Sequence, residues 1–148
     1  MKLPRLELSL QVATRSAGVP GAQDLQRWAS AATRRACRLT LRVVGRPEAR
    51  RLNRDFRGRD YATNVLTFVY QAAGPCEGDL VLCAPVVSLE ARRQGKAVEA
   101  HWAHLVVHGM LHLQGFDHEE AREAAAMERL ETEILRELGY PDPYLMAA

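Results

Sequence analysis

Residues 98–118 read VEAHWAHLVVHGMLHLQGFDH, and all five histidines of the chain lie in this stretch. At about 100° per residue, four of them fall on one narrow face of an α-helix, while apolar side chains cover most of the remaining circumference. These four are His101, His104, His108 and His112. A helix that is apolar almost all round is buried, so we expect the histidine face to look into an internal cleft.

The spacing of three histidines predicts a metal site. His108 and His112 are four residues apart, which lets both imidazoles reach one ion at the roughly 2.0–2.1 Å of a zinc–nitrogen bond. Gly115 can end the helix in a left-handed conformation, so that the turning chain delivers His118 as a third ligand. Three neutral nitrogen ligands leave one position open for water, which is typical of a catalytic zinc. We therefore predict one zinc ion per chain, held by His108, His112 and His118.

The same spacing occurs in the metzincin proteases, so peptide hydrolysis has to be weighed. In that motif a glutamate follows the first histidine and deprotonates the zinc-bound water. Gly109 stands at this position, so the usual protease base is missing. The scaffold is zincin-like, and a minimal metalloprotease is the least favoured of the functions that we consider.

Strand and helix patterns alternate along the rest of the chain. Strands are predicted from period-2 alternation or β-branched runs at residues 6–12, 39–43, 65–70 and 79–83. Helices are predicted at residues 25–38, 47–57, 85–94, 98–114 and 119–138, with a loop at residues 74–78. The predicted fold class is α+β with α/β-type layers: a single zincin-like domain over residues 1–148, in which about five helices cover a four-stranded mixed sheet.

Composition bounds the class of protein. The length of 148 residues suits one hydrophobic core, and 47% hydrophobic with 26% charged residues excludes wholesale disorder and a fibrous repeat. The three cysteines contain no C-x-x-C pair, which argues against a disulfide framework and a cysteine zinc site. No stretch approaches the roughly 20 apolar residues of a membrane helix, and no signal peptide is evident. We expect a cytoplasmic protein without a membrane partner.

Charge is segregated along the chain although the net charge is only +2. Residues 27–59 carry eleven arginines and two acids, a net +9, whereas residues 117–142 carry nine acids and three arginines, a net −6. Arginine makes up 18 of the 20 basic residues, and its planar guanidinium suits bidentate phosphate contacts. Such asymmetry indicates nucleic-acid contact, although a solvated surface shaped by coding bias would also be arginine-rich.

Residues 108–118, HGMLHLQGFDH, resemble the H-G-x-L-H-L-x-G-[YF]-D-H signature of the YbeY endoribonuclease family. Two further blocks agree with that family, LNRDFRGRD through TNVLTF at residues 52–68 and EGDLVL at residues 77–82. The chain departs mildly from the family pattern at Phe116, Thr67 and Val69, where Tyr, Ser and Pro are commoner.

The resemblance implies a zinc-dependent, single-strand-specific endoribonuclease that acts in 16S rRNA 3′-end maturation and ribosome quality control. It implies zinc ligands at His108, His112 and His118, and a functional arginine at Arg57, for which a phosphate clamp is the natural role. It also implies single-stranded RNA and small-subunit rRNA as substrates, with the small ribosomal subunit or assembly factors as partners.

Two matters stay open at this level. The general base is unassigned: zinc-bound water needs none, and His104, Asp117 and Glu119 are candidates. The alternative function, from another class, is a ribosome-assembly RNA-binding protein in which the zinc chiefly maintains the fold.

Overall fold

The computed structural model describes residues 5–71, 74–116 and 120–145. Within them, four strands and five helices follow one another along the chain. In order they are β1 (Leu6–Val12), α1 (Ala22–Ala31), β2 (Cys37–Val44), α2 (Arg46–Arg57), β3 (Val65–Gln71), β4 (Cys76–Cys83), α3 (Ala84–Arg93), α4 (Val98–Leu113) and α5 (Ala121–Glu137).

The strands form one mixed sheet in the order β1-β2-β4-β3. β1, β2 and β4 are parallel neighbours, whereas β3 pairs antiparallel with β4 and lies at the edge. This confirms the predicted α+β class, with a four-stranded mixed sheet and five helices.

The two faces of the sheet differ in chemistry. Alternate residues of β2 and β4 point towards α1 and α4 and form the main core with both tryptophans. Its largest fully buried members include Trp28, Trp102, Leu39, Leu41, Leu80, Leu82 and Met110. On the other face, α2 packs through a small apolar cluster of Val44, Ala49, Leu66, Val81 and Cys83. Beyond that cluster, the face carries the polar residues Arg42 and Asp79 and becomes one wall of a cleft.

Two predicted boundaries were wrong. Helix α1 ends at Ala31 rather than near residue 38, because Arg38 pairs with Glu7 in the sheet instead. The backbone N–H of Arg34 donates a hydrogen bond to Gln114 Oε1 at 2.7 Å, and this contact fixes the chain after the end of α1.

Strand β4 begins at Cys76, inside the predicted loop, because β2 extends far enough to pair with Glu77 and Gly78. A Cβ at Gly78 would lie 2.5 Å from the Phe68 carbonyl oxygen and 2.8 Å from Leu113 Cδ2, so only glycine lets β3 and α4 approach so closely there.

None of the helices in the described part of the chain has the length and apolarity that crossing a membrane requires.

Candidate functional site

Helix α4 carries two of the three predicted metal ligands, His108 and His112, and its apolar side chains are buried in the core. Trp102, Val106 and Leu111 are fully buried, as expected for a helix that is apolar almost all round. A Cβ at Gly109 would lie 2.3 Å from Leu80 Cδ1, so position 109 faces the sheet and has no room for a side chain. The place where a metzincin has its glutamate therefore cannot hold a base, which argues against proteolysis.

The imidazole of His108 is held by a carboxylate of the last helix. Glu131 Oε1 lies 2.6 Å from His108 Nδ1, and the Glu131 side chain is fully buried. A carboxylate can only accept, so His108 donates through Nδ1 and presents Nε2 on the opposite side of its ring. Histidines that bind metals commonly donate their other ring N–H to a carboxylate in this way.

Glu131 accepts two further hydrogen bonds. Its Oε2 lies 3.0 Å from His104 Nε2, and it also accepts from the Tyr144 hydroxyl. Burial alone raises the pKa of Glu131, but the hydrogen bonds from His104, His108 and Tyr144 outweigh burial and lower it to about 2. Glu131 is therefore an ionised carboxylate, and burial together with its hydrogen bond to Glu131 raises the pKa of Tyr144.

His104, His108 and Glu131 are also a group that could hold a metal ion, since one ligand atom from each lies within 4.8 Å of the others. Two donors about 2.1 Å from a tetrahedral zinc ion stand about 3.4 Å apart. The 2.6 Å between His108 and Glu131 is shorter than this and fits a hydrogen bond. His104 turns its Nε2 to the same carboxylate, so the three side chains are arranged as a network that supports His108.

His112, one turn after His108, lines a cleft of about 630 Å³. Side chains of β2, β3, β4 and α2 complete its walls: Arg42, Glu48, Leu52, Phe56, Arg57, Thr67, Phe68, Val69, Tyr70, Asp79 and Val81. The structure thus brings two residues predicted for the site, His112 and Arg57, to one cleft. The third predicted ligand, His118, lies outside the described residues, as do Asp117 and Glu119.

Arg57 is the last residue of α2 and leans over the edge strand. Its Nη2 donates to the Thr67 carbonyl oxygen at 2.5 Å, and its guanidinium carbon lies 5.1 Å from the centre of the Phe68 ring. Gly58 ends the helix with φ of +70°, in the left-handed region that favours glycine. Two fixed contacts therefore orient an exposed guanidinium at the rim of the cleft.

The first histidine of the α4 face has a structural role. His101 Nε2 lies 2.9 Å from Glu90 Oε1, and the same carboxylate accepts from Asn64 Nδ2 at 3.0 Å. Burial lowers the pKa of His101, and the bond to Glu90 opposes that shift. The histidine face therefore divides: His101 faces α3, His104 and His108 face α5, and His112 faces the cleft.

The basic stretch at residues 27–59 is less cationic in space than in sequence. At least five of its eleven arginines are paired with carboxylates of described residues, and three of these carboxylates lie outside the stretch. The pairs are Arg27–Asp24, Arg38–Glu7, Arg42–Glu48, Arg50–Asp60 and Arg54–Asp55. The folded protein therefore does not present eleven unpaired positive charges along this stretch.

Reasoning from sequence missed Glu131, the central residue of this site. A usable signal was present, because position 131 lies on the buried face of α5 with Met127 and Ile134. A carboxylate on an apolar helix face is buried only when it is paired.

The chain matches known proteins over nearly its whole length. The family model for the endoribonuclease YbeY matches residues 21–139. A protein of Aromatoleum aromaticum named Endoribonuclease YbeY is 59% identical over 143 residues, covering 95% of this chain and 93% of that protein. A protein of the same name from Azoarcus sp. is 56% identical over 154 aligned positions, covering 97% of this chain and 61% of that longer protein.

A solved structure shares the fold. The solution structure of TM1509 from Thermotoga maritima has a TM-score of 0.56 and 22% identity, covering 93% of this chain and 99% of that one. The family match and the identities to the curated proteins show that this chain belongs to the YbeY endoribonuclease family.

Proposed function

We propose that this protein is a metal-dependent endoribonuclease that hydrolyses phosphodiester bonds of single-stranded RNA at the cleft beside His112. The observation that carries the proposal is the orientation of His108 by the buried, ionised Glu131, one helical turn from a histidine that shares its cleft with Arg57. The relatives named Endoribonuclease YbeY supply the class of reaction.

We propose zinc as the metal, with His108, His112 and His118 as its ligands. His108 fits because its Nδ1 is occupied by Glu131 and its Nε2 faces away from that carboxylate. These residues would hold the zinc ion, which would supply a Lewis acid for a phosphoryl oxygen and would lower the pKa of a water molecule towards about 7.

The protein side chains then position the RNA. Arg57 keeps N–H groups beyond those that donate to the Thr67 and Phe56 carbonyl oxygens, and its planar fork matches two non-bridging phosphate oxygens. Because Arg57 and His112 line one cleft, the guanidinium would offset the negative charge that builds up on the phosphate in the transition state.

The substrate proposed within the cell is small-subunit rRNA near its 3′ end, with the small ribosomal subunit or its assembly factors as partners. The proposed place is the cytoplasm. These finer statements rest on the family resemblance, which includes the signature at residues 108–118.

The test compares two histidine variants of equal chemistry. His112→Ala is expected to lose bound zinc, measured by metal analysis of the purified protein, and to lose cleavage of a single-stranded RNA. His104→Ala removes a hydrogen-bond partner of Glu131 but no proposed ligand, so most of the zinc should stay bound. Unchanged cleavage by metal-free His112→Ala would refute the proposal, and loss of zinc from His104→Ala alone would move the metal to the His104, His108 and Glu131 group.

A second function, an RNA-binding protein with a structural metal, has one observation in its favour. Glu131 ties α4 to α5, so a metal on His108 would also strengthen the packing of the two helices. This alternative predicts that His112→Ala loses thermal stability and RNA affinity together. It also predicts that the wild-type protein shows no RNA turnover that a chelator removes.

A further inference from the structure

Large apolar side chains are exposed to solvent in the cleft beside His112. Among the described residues, seven large apolar side chains are exposed, and three of them, Phe56, Val69 and Tyr70, line this cleft. Phe56 is 63% exposed and Tyr70 is 66% exposed. Apolar side chains that are exposed together mark a binding surface more often than a packing error.

Three aromatic rings, those of Phe56, Phe68 and Tyr70, line the cleft at the edge strand. Phe56 meets Phe68 edge to face, with ring centres 5.4 Å apart and an interplanar angle of 76°. Tyr70 lies at an irregularity of β3, where the pairing with β4 shifts between Val69 and Gln71, and its side chain lines the same cleft as Phe68. Its hydroxyl donates to Asp79 at 2.5 Å, which fixes the ring while leaving most of it open to solvent.

A cation lies next to these rings. The guanidinium of Arg57 covers part of Phe68, so a positive charge and the exposed rings of Phe56 and Tyr70 occur within one turn of α2 and three residues of β3. Proteins that bind single-stranded nucleic acid combine the same two elements, a positive charge for the backbone and aromatic rings on which bases stack. A protein partner would also accept an apolar groove, but it would not need a guanidinium beside the rings.

We propose that Phe56 and Tyr70 form a nucleobase-stacking subsite, on which bases flanking the scissile phosphate of single-stranded RNA are held. The inference rests on the proposed function, because it takes RNA as the ligand. It also explains a preference for single strands, since the faces of a base in a duplex are covered by neighbouring base pairs.

The test measures binding of a fluorescein-labelled single-stranded oligoribonucleotide by anisotropy. Phe56→Ala and Tyr70→Ala are each expected to weaken binding about fivefold to 150-fold. Phe56→Tyr and Tyr70→Phe keep the rings and should keep the affinity. Tyr61→Ala is the matched control, because Tyr61 is an exposed aromatic residue that does not line the cleft.

A second probe separates stacking from general apolar contact. Abasic sites are placed one at a time along the same oligoribonucleotide, and at one or two positions they should weaken binding to the wild type. Those same abasic sites should cost Phe56→Ala much less, because the partner ring is already gone. Full affinity of Phe56→Leu, or abasic effects of equal size in wild type and Phe56→Ala, would overturn the stacking subsite.

The outcomes distinguish this subsite from the nuclease proposal. Zinc content and RNA cleavage are measured on the same preparations, and Phe56→Ala should bind zinc as the wild type does. If the wild type cleaves RNA while Phe56→Ala and Tyr70→Ala bind it normally, the subsite is refuted and the nuclease stands. If the rings are needed for binding but the zinc-loaded wild type cleaves nothing, the subsite stands and the nuclease is refuted. A wild type that binds no single-stranded RNA overturns both.

Discussion

Glu131 Oε1 and His108 Nδ1 lie 2.6 Å apart, and this contact joins the last helix to the helix that carries the histidines. The carboxylate is fully buried and ionised, so it fixes both the orientation of the imidazole and the nitrogen that bears the proton.

Replacing Glu131 with Gln should weaken zinc binding about tenfold to 100-fold, as removal of an outer partner of a metal-bound histidine commonly does. Gln has nearly the same shape but lacks the negative charge that makes the imidazole a stronger ligand. The affinity is measured by competition with a chromophoric chelator at pH 7. Glu133→Gln removes one exposed charge from the same helix and is expected to leave the affinity unchanged. An unaltered zinc affinity in Glu131→Gln would show that the hydrogen bond does not support the ligand.

Arg57→Lys should reduce RNA cleavage strongly while zinc binding stays normal. Lysine keeps the charge but loses the planar fork, the hydrogen bond to the Thr67 carbonyl and the stacking over Phe68. Loss of one electrostatic donor to a transition state typically lowers kcat by about 10²–10³. Single-turnover cleavage of single-stranded RNA measures the effect. Cleavage by Arg57→Lys at the wild-type rate would leave Arg57 with a role in charge alone.

Gly109→Ala should destabilise the protein although alanine favours helices. The added methyl group would lie 2.3 Å from Leu80 Cδ1 in a core where Leu80 is fully buried. Overpacking costs typically about 1–3 kcal/mol, which exceeds the roughly 1 kcal/mol gained from helix propensity. The free energy of unfolding in urea measures the balance. A more stable Gly109→Ala variant would mean that Leu80 moves aside without cost.

The Arg42–Glu48 pair should give the stability of the protein an acid-dependent component. The hydrogen bond from Arg42, at 2.6 Å, outweighs partial burial and lowers the pKa of Glu48 from its ordinary value of 4.5. A lowered pKa in the folded state means that the stabilisation is complete above pH 4.5. It is lost as the pH falls through the lowered pKa.

Glu48→Gln should therefore lower the free energy of unfolding by about 1 kcal/mol at pH 7. This deficit relative to the wild type should shrink when both proteins are measured below the lowered pKa. Glu137→Gln, at an exposed glutamate, is the control and should show no such dependence on pH. A deficit of constant size at both pH values would mean that the charge of Glu48 is not what stabilises the pair.

The elements that could be predicted are those marked by a local pattern of apolar residues in the sequence. Strands β1 and β3 and helix α4 were found because alternating or continuous apolar residues mark them directly. The end of α1 was missed because the arginines and alanine at residues 34–36 suit a helix, and only pairing of Arg38 with β1 determines otherwise.

The candidate site was only partly predictable for a similar reason. The spacing of His108 and His112 is local, so the sequence could suggest them. The cleft brings α2 next to β3, and the edge-to-face contact of Phe56 with Phe68 arises only when the chain has folded. Glu131 contacts His108 only because α5 packs against α4. A count of acidic residues in the sequence does not distinguish this buried glutamate from the solvated acids near it.

The order in which the chain is synthesised gives the Glu131 contact a further meaning. Glu131 follows His108 by 23 residues, so a nascent chain carries the histidines of α4 well before the carboxylate that orients one of them. Until α5 has been made and has docked on α4, His108 lacks the carboxylate that fixes the orientation of its ring. We expect metal to bind more weakly to such an incomplete chain than to the folded protein.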